Sequence, residues 1–243
     1  MPEQLFFTRL LNHAFAGPVA ALLRAFHVEP QYPEAPISNA VAMEVLVVCL
    51  LLVIFLILRS RLSVERPGWV QHLFEGVHGF IEGQSRDMIG HHSERFTPFL
   101  VSLGLFILIG NLFGVVPGLE SPTAHVVVPL GCAICAFFYY HAHGFRESGI
   151  GYLKQFLGPM WWLAWLMLPL EIISHLARVM SLTIRLYANM FAGDMVTMVF
   201  FSLIPIVIPV IFLGLHIGVA LLQAYIFVLL TTVYLAGAVA TEH

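Results

Sequence analysis

Charged residues are scarce in this sequence. Asp, Glu, Lys and Arg together make up 10% of its 243 residues, whereas hydrophobic residues make up 59% and the mean hydropathy is +0.89. A soluble domain carries about 25% charged residues, so this composition excludes a protein that is surrounded by water on all sides. We therefore expect an all-α polytopic membrane protein. Residues 1–243 should form a single membrane domain, because this length leaves no room for a second large one.

Basic residues and cysteines are few as well. The chain has 11 Lys and Arg against 14 Asp and Glu, a net charge of −3, which leaves no electrostatic footprint for a nucleic acid. Cys132 and Cys135 form a C-x-x-C, but no second pair accompanies it, so we expect no metal site. The sequence also lacks a phosphate-binding loop, and we expect no cofactor and no nucleotide hydrolysis by this chain itself.

Long apolar runs, in contrast, are abundant and predict about five membrane-crossing helices. The predicted spans cover residues 41–58, 96–116, 124–140, 161–203 and 206–240. Residues 1–40 should form an amphipathic surface segment and a proline-rich loop. They do not resemble a cleavable signal peptide, because Asn12 and His13 interrupt the apolar run. Residues 67–90 place apolar side chains at helical spacing among polar ones, which indicates an amphipathic helix in the membrane interface.

The last two apolar runs are too long for ordinary spans. A helix over residues 161–203 would be about 65 Å long, whereas the hydrocarbon core is about 30 Å thick. No polar turn divides either run. We therefore expect two long, strongly tilted helices side by side, which would present their polar side chains sideways to a partner.

The basic residues outside the spans predict the orientation. If the five spans alternate, one side of the membrane receives Arg59, Arg61, Arg66, Arg86, Arg95, Arg146 and Lys154. Only Arg9 and Arg24 fall on the other side. The positive-inside rule then places the N-terminus outside and the C-terminus in the cytoplasm.

A polar stripe runs along the penultimate apolar run. At roughly 100° per residue, four side chains fall within about 40° of Glu171. They are His175, Arg178, Arg185 and Asn189. Ionisable groups within a membrane are expensive and usually face a bundle interior or a water-filled path. We interpret the stripe as part of an ion path; a buried ion-pair network that only packs helices remains the alternative.

Three polar residues of the last run share one face, namely His216, Gln223 and Tyr234. Asp194 points about 140° away from Glu171 on its own helix. Because histidine is the residue type whose ordinary charge change falls near neutral pH, His216 is a candidate proton-relay partner for Asp194. Arg178 has Glu171 within two helical turns and is expected to be paired locally. Arg185 has no acid within reach on its own helix, so its anion must come from another chain.

These residues carry a resemblance to a known family. The segments SLTIRLYANMFAGD (181–194), LQAYIFVLLTTVYLAGAV (222–239) and NLFGVVPGLESPTAH (111–125) resemble subunit a of F-type ATP synthases. The resemblance implies a proton-translocating stator subunit in the bacterial plasma membrane. Its implied partners are a rotating ring of c subunits, the peripheral-stalk b subunits and the lipid bilayer.

The resemblance also implies roles for single residues. The arginine matching Arg185 faces the ring carboxylates, and two aqueous half-channels meet the ring on either side of it. Glu171 and Ser174 match the half-channel to the cytoplasm, whereas Asp194 and His216 match the half-channel to the outside. The implied proton path comprises Glu171, Ser174, His175, Asn189, Asp194, His216 and Gln223. Asp194 stands where the family more often has Glu.

Two other function classes stay open at this point. A membrane cytochrome could use some of the 12 histidines as haem ligands, although no two spans offer facing histidines at matched depth. A secondary ion transporter could use the same charges, although no internal repeat is evident. The sequence does not decide between H⁺ and Na⁺, and it assigns no role to His91, His92, His125, His141 and His143.

Overall fold

The computed structural model describes residues 5–25, 35–63, 68–90, 93–116, 118–149, 151–152, 164–203 and 207–239. Some of the sequence predictions lie outside the described residues. They concern the loop at 28–34, Arg66, the helix start at 67, His91, His92, Lys154, and the predicted span ends at 161–163, 206 and 240.

The described residues form helices and no strand, which confirms the all-α prediction. The helices are α1 (Phe6–Ala25), α2 (Asn39–Arg61), α3 (Trp69–Ile89), α4 (Thr97–Phe113), α5 (Val127–Ser148), α6 (Ala164–Leu203) and α7 (Val207–Val239). Short 3₁₀ turns at Ser93–Arg95 and Pro122–Ala124 precede α4 and α5.

Three helices are long and apolar enough to cross a membrane, at Asn39–Ser60, Trp165–Phe200 and Val210–Val239. Helix α4 is apolar but shorter. Together these helices confirm a polytopic membrane protein. Helix α5 is not among them; its last turns carry His141, His143 and Arg146, and its crossing remains a prediction.

Helices α6 and α7 are the longest elements. They contain 40 and 33 residues, or about 60 and 50 Å at 1.5 Å per residue. Pro169 lies inside α6 without ending it. Both helices exceed the thickness of a hydrocarbon core, so they fit within it only if they are inclined.

Apolar side chains from four helices fill the centre of the bundle. Ile107 of α4, Leu186 of α6 and Phe227 of α7 are fully buried, and Ala136 of α5 is almost so. A second cluster joins α2 and α3 to α4 and α7. Helices α3, α4 and α7 meet at Gly104 of α4. A Cβ there would lie 2.9 Å from a methyl group of Val228 in α7 and 3.8 Å from Ile81 in α3. Helix α7 therefore packs into both clusters, whereas α6 contributes buried residues to the first.

Polar contacts fasten the helices at two opposite ends. At one end, the Asn12 amide of α1 bonds both backbone groups of Ile37, and Asn39 Nδ2 donates to Glu120 at 3.3 Å. We call this the Glu120 end. At the other, Arg95 before α4 pairs with Glu147 of α5, and we call it the Arg95 end. The helix ends that carry Arg59, Arg95 and Arg146 therefore lie at the Arg95 end.

The close approach of α5 to its neighbours is tested by Gly144→Ala. A Cβ at Gly144 would lie 2.6 Å from Tyr152 Cε2 and 3.1 Å from the Ala238 carbonyl oxygen. We expect the variant to unfold at a lower temperature in detergent, because overpacking costs about 1–3 kcal/mol. Gly131→Ala is the control, since a Cβ there meets nothing within 4 Å. Equal unfolding midpoints for the two variants would contradict this packing.

Candidate functional site

Helices α6 and α7 run antiparallel, and polar side chains meet along their contact. Three pairs cross it at successive depths, namely Asp194 with His216, Asn189 with Gln223, and Arg178 with Tyr234. From pair to pair the residue number on α6 decreases while the residue number on α7 increases, as antiparallel packing requires. The polar face predicted for α7 therefore lies against α6 along its length.

Asp194 lies at the Glu120 end, between α4 and α7. Its Oδ1 is 3.7 Å from His216 Nε2, and a Cβ at Gly114, at the end of α4, would lie 2.9 Å from the same oxygen. A separation of 3.7 Å is too long for a hydrogen bond. His216 Nε2 is buried and has no hydrogen-bond partner among the described residues. The acid and the imidazole thus face each other with a gap between them.

A cavity of about 280 Å³ opens beside this pair. Its lining includes Asn189, Thr197 and His216 together with apolar side chains. A cavity of this size has room for several waters, and its three polar side chains would supply the hydrogen-bond partners that such waters need. It reaches from His216 to the Asn189 amide, which donates to Gln223 Oε1 at 2.9 Å.

Gly193 allows the His216 ring to pack against the backbone of α6. A Cβ there would lie 2.7 Å from Nδ1 and 2.9 Å from Cε1 of His216. Any side chain at this position would displace the imidazole. Sequence reasoning missed this role, although the glycine immediately precedes Asp194 and could have been noticed as a small residue opposite a histidine.

A buried hydrogen-bond network anchors the loop before α5 beside Asp194. Ser121 Oγ donates to the Gly110 carbonyl at 3.1 Å, and Thr123 Oγ1 donates to Asn111 Oδ1 at 2.6 Å. Asn111 Nδ2 in turn donates to the Ala220 carbonyl of α7 at 3.3 Å. The loop is thereby fixed to α4 and α7. In the sequence, only the family resemblance pointed to this loop, because loop residues have no helical periodicity.

Glu171 belongs to a second polar cluster, at the Arg95 end. Its Oε1 lies 3.3 Å from His175 Nε2, and the other ring nitrogen of His175, Nδ1, lies 3.1 Å from the Tyr140 hydroxyl. A cavity of about 140 Å³ adjoins these groups; its lining also includes Tyr152, Arg178 and Tyr234. Ser174, expected on this path, is partly exposed and does not line that cavity.

The local pairing expected for Arg178 is not observed. Its guanidinium lies over the Tyr234 ring at 5.1 Å from the ring centroid, and Glu171 approaches His175 instead. A guanidinium over an aromatic face is a favourable cation–π contact. The expectation was wrong because it considered only residues of α6, whereas the partner lies on α7.

Arg185 lies between the two clusters. It is 14 residues from Glu171 and nine from Asp194, or about 21 and 14 Å along the helix. Its Nη2 donates to Ser181 Oγ at 3.3 Å, and no carboxylate of a described residue lies within 4.0 Å. An exposed and largely apolar face of α6 adjoins it, with Ile184 53% exposed and Ala188 also exposed. Within the described residues, Arg185 is thus a half-buried cation without a matching anion at the edge of an apolar face.

Known proteins match the whole chain. A family model described as ATP synthase A chain matches residues 41–236. A protein of Koribacter versatilis named ATP synthase subunit a is 57% identical over the full length of both chains. The protein of that name from Solibacter usitatus is 54% identical over 96% of this chain and its own full length. The chain therefore belongs to the ATP synthase A chain family and is a membrane-sector subunit of an ATP synthase.

Proposed function

We propose that this chain is the proton-translocating stator subunit of an F-type ATP synthase. Two half-channels, one at each polar cluster, carry protons to and from carboxylates on a ring of c subunits. The Asp194 cluster serves the outside and the Glu171 cluster serves the cytoplasm. Rotation of the ring drives ATP synthesis in a separate catalytic head.

The position of Arg185 is the observation that carries this proposal. A guanidinium stays charged under all relevant conditions, and an uncompensated charge in an apolar medium is strongly destabilising. Because the described residues offer Arg185 no carboxylate, a carboxylate of the ring is the fitting anion. The apolar surface beside Arg185 is suited to contact with a ring of apolar helices.

The electrostatics of the ring carboxylate explain how translocation would proceed. In contact with lipid the carboxylate must be neutral, because a bare anion in hydrocarbon is very costly. It takes up a proton at one half-channel and loses a proton at the other. Between them it passes Arg185 as an anion, and the fixed cation keeps protons from crossing directly. Each proton that crosses 100 mV supplies about 2.3 kcal/mol to rotation.

The same proposal covers location and partners. The helix ends with Arg59, Arg95 and Arg146 lie together, and the positive-inside rule assigns such an end to the cytoplasm. The chain then lies in a bacterial plasma membrane with its N-terminus outside and its C-terminus in the cytoplasm. Peripheral-stalk b subunits would hold it against the torque of the c-ring.

We expect Arg185→Ala to abolish ATP-driven proton pumping and ATP synthesis, and to let protons leak through the membrane sector. Arg185→Lys should also fail, because a desolvated lysine deprotonates and lacks the planar fork. The measurement is proton flux in vesicles with the assembled complex, with and without ATP. Ser202→Ala is the control on the same helix and should retain pumping, since its side chain is exposed and its hydroxyl donates to the Val199 carbonyl of the same helix. Robust pumping by Arg185→Ala would overturn the proposal.

Asp194→Ala and His216→Ala should each slow proton flux without disturbing assembly, because each removes one member of the facing acid–imidazole pair and leaves Arg185 in place. Loss of one acid–base group typically costs about 10²-fold or more in a proton-transfer step. Proton flux is measured across a range of pH. Ser202→Ala is the control, since the one hydrogen bond of that hydroxyl to a described residue goes to the Val199 carbonyl of its own helix. Wild-type flux in both variants would remove these residues from the path.

Glu171→Gln should impair proton release at the cytoplasmic side, because the amide keeps the shape of the carboxyl but does not titrate. The assay is ATP-driven pumping as a function of the pH on that side, together with the amount of complex assembled. Normal pumping with normal assembly would show that the contact between Glu171 and His175 is only structural.

A further inference from the structure

Tyr140, His175 and Glu171 lie in a row, with the imidazole of His175 in the middle. Tyr140 of α5 is 3% exposed and His175 of α6 is 8% exposed. The Tyr140 hydroxyl lies 3.1 Å from Nδ1, and Glu171 Oε1 lies 3.3 Å from Nε2. One face of the imidazole ring stacks on the phenol, with centroids 6.0 Å apart and planes 26° apart. Both ring nitrogens are thus directed at an oxygen of another residue.

A phenol hydroxyl suits this position because it both donates and accepts a hydrogen bond. When Nε2 carries the imidazole proton, the hydroxyl donates to Nδ1 and the Nε2–H faces the Glu171 carboxylate. When Nδ1 carries the proton, the hydroxyl accepts from it, and Nε2 has a free lone pair facing Glu171. The same contact therefore supports both neutral tautomers and the imidazolium without movement of the ring.

We propose that His175 and the Tyr140 hydroxyl together relay the proton of Glu171, an inference that rests on the proposed half-channel at this end. A carboxyl O–H bond at Glu171 breaks as an N–H bond forms at Nε2, which leaves a carboxylate and an imidazolium. The imidazolium then passes its Nδ1 proton to the Tyr140 oxygen as the Tyr140 O–H proton passes to water in the adjoining cavity of about 140 Å³, which Tyr140 also lines. His175 returns to the neutral form, and charge and protons balance.

The charged groups around His175 make the imidazolium short-lived. Arg178 and Glu171 lie on α6 itself, Tyr140 and His141 on α5, Tyr152 beyond α5, and Tyr234 on α7. Glu171 is the only carboxylate among the groups named here. Arg178, held over Tyr234, opposes a lasting positive charge on His175. The relay is thus charged only while Glu171 delivers a proton.

The test is passive proton conduction through the assembled membrane sector after removal of the catalytic head, with the pH varied on one side at a time. We expect Tyr140→Phe to lower conduction about fivefold, the rate equivalent of one ordinary hydrogen bond. The change should appear in the dependence on cytoplasmic pH and not in the dependence on outside pH. Tyr139→Phe is the matched control, since that ring stacks on Phe99 and its hydroxyl takes part in no hydrogen bond among the described residues.

A double-mutant cycle distinguishes a role of Tyr140 in the relay from a purely structural role. If Tyr140 acts through His175, Tyr140→Phe should add nothing to the defect of His175→Gln. Additive defects, or an equal loss in Tyr139→Phe, would overturn the inference. Normal conduction in Tyr140→Phe beside impaired conduction in Glu171→Gln would overturn only the role of Tyr140. Normal conduction in Glu171→Gln would instead remove the half-channel at this end.

Discussion

The cost of charge in an apolar medium governs this structure. Among the described residues, two charged groups of α6 have a neighbour on α7: Asp194 faces His216, and Arg178 lies over Tyr234. Arg185 differs from both, because its hydrogen bond goes to the Ser181 hydroxyl of its own helix. The first two contacts join α6 to α7, whereas Arg185 is the group to which the proposed function assigns an anion from another chain.

Close backbone approach makes these polar contacts possible. Gly193 lets the His216 ring lie against α6, and Gly114 leaves room for the Asp194 carboxylate at the end of α4. At the other end, Gly144 admits the Tyr152 ring next to α7. A methyl group at any of these positions would collide with a neighbouring group. The helix pattern therefore determines which way each polar side chain points, and the glycines determine how near its partner comes.

Helical periodicity predicts well which way a side chain points from its own helix. It predicts poorly which residues of other helices that side chain contacts. It gave the stripe of Glu171 and the opposite direction of Asp194, because both follow from rotation about a single axis. It was wrong about Arg178, whose partner lies on another helix, and it gave no role to Tyr140 at the end of a predicted span. The loop with Ser121 and Thr123 has no period at all, so only a resemblance marked it. Contacts between side chains of different helices depend on the register of those helices. Packing over the whole bundle sets that register.

Under the proposed function, the two polar clusters would pass a proton in different ways. At the Glu120 end the acid and the imidazole stand 3.7 Å apart beside a cavity of about 280 Å³, a geometry that suits transfer through water. At the Arg95 end the cavity has about half that volume, and both nitrogens of His175 already face an oxygen. Transfer there can run from side chain to side chain. Proton transfer through water tolerates small displacements of the surrounding side chains, whereas direct transfer between side chains does not. The Arg95 end is accordingly the one where aromatic rings from α5 and α7 enclose the relay.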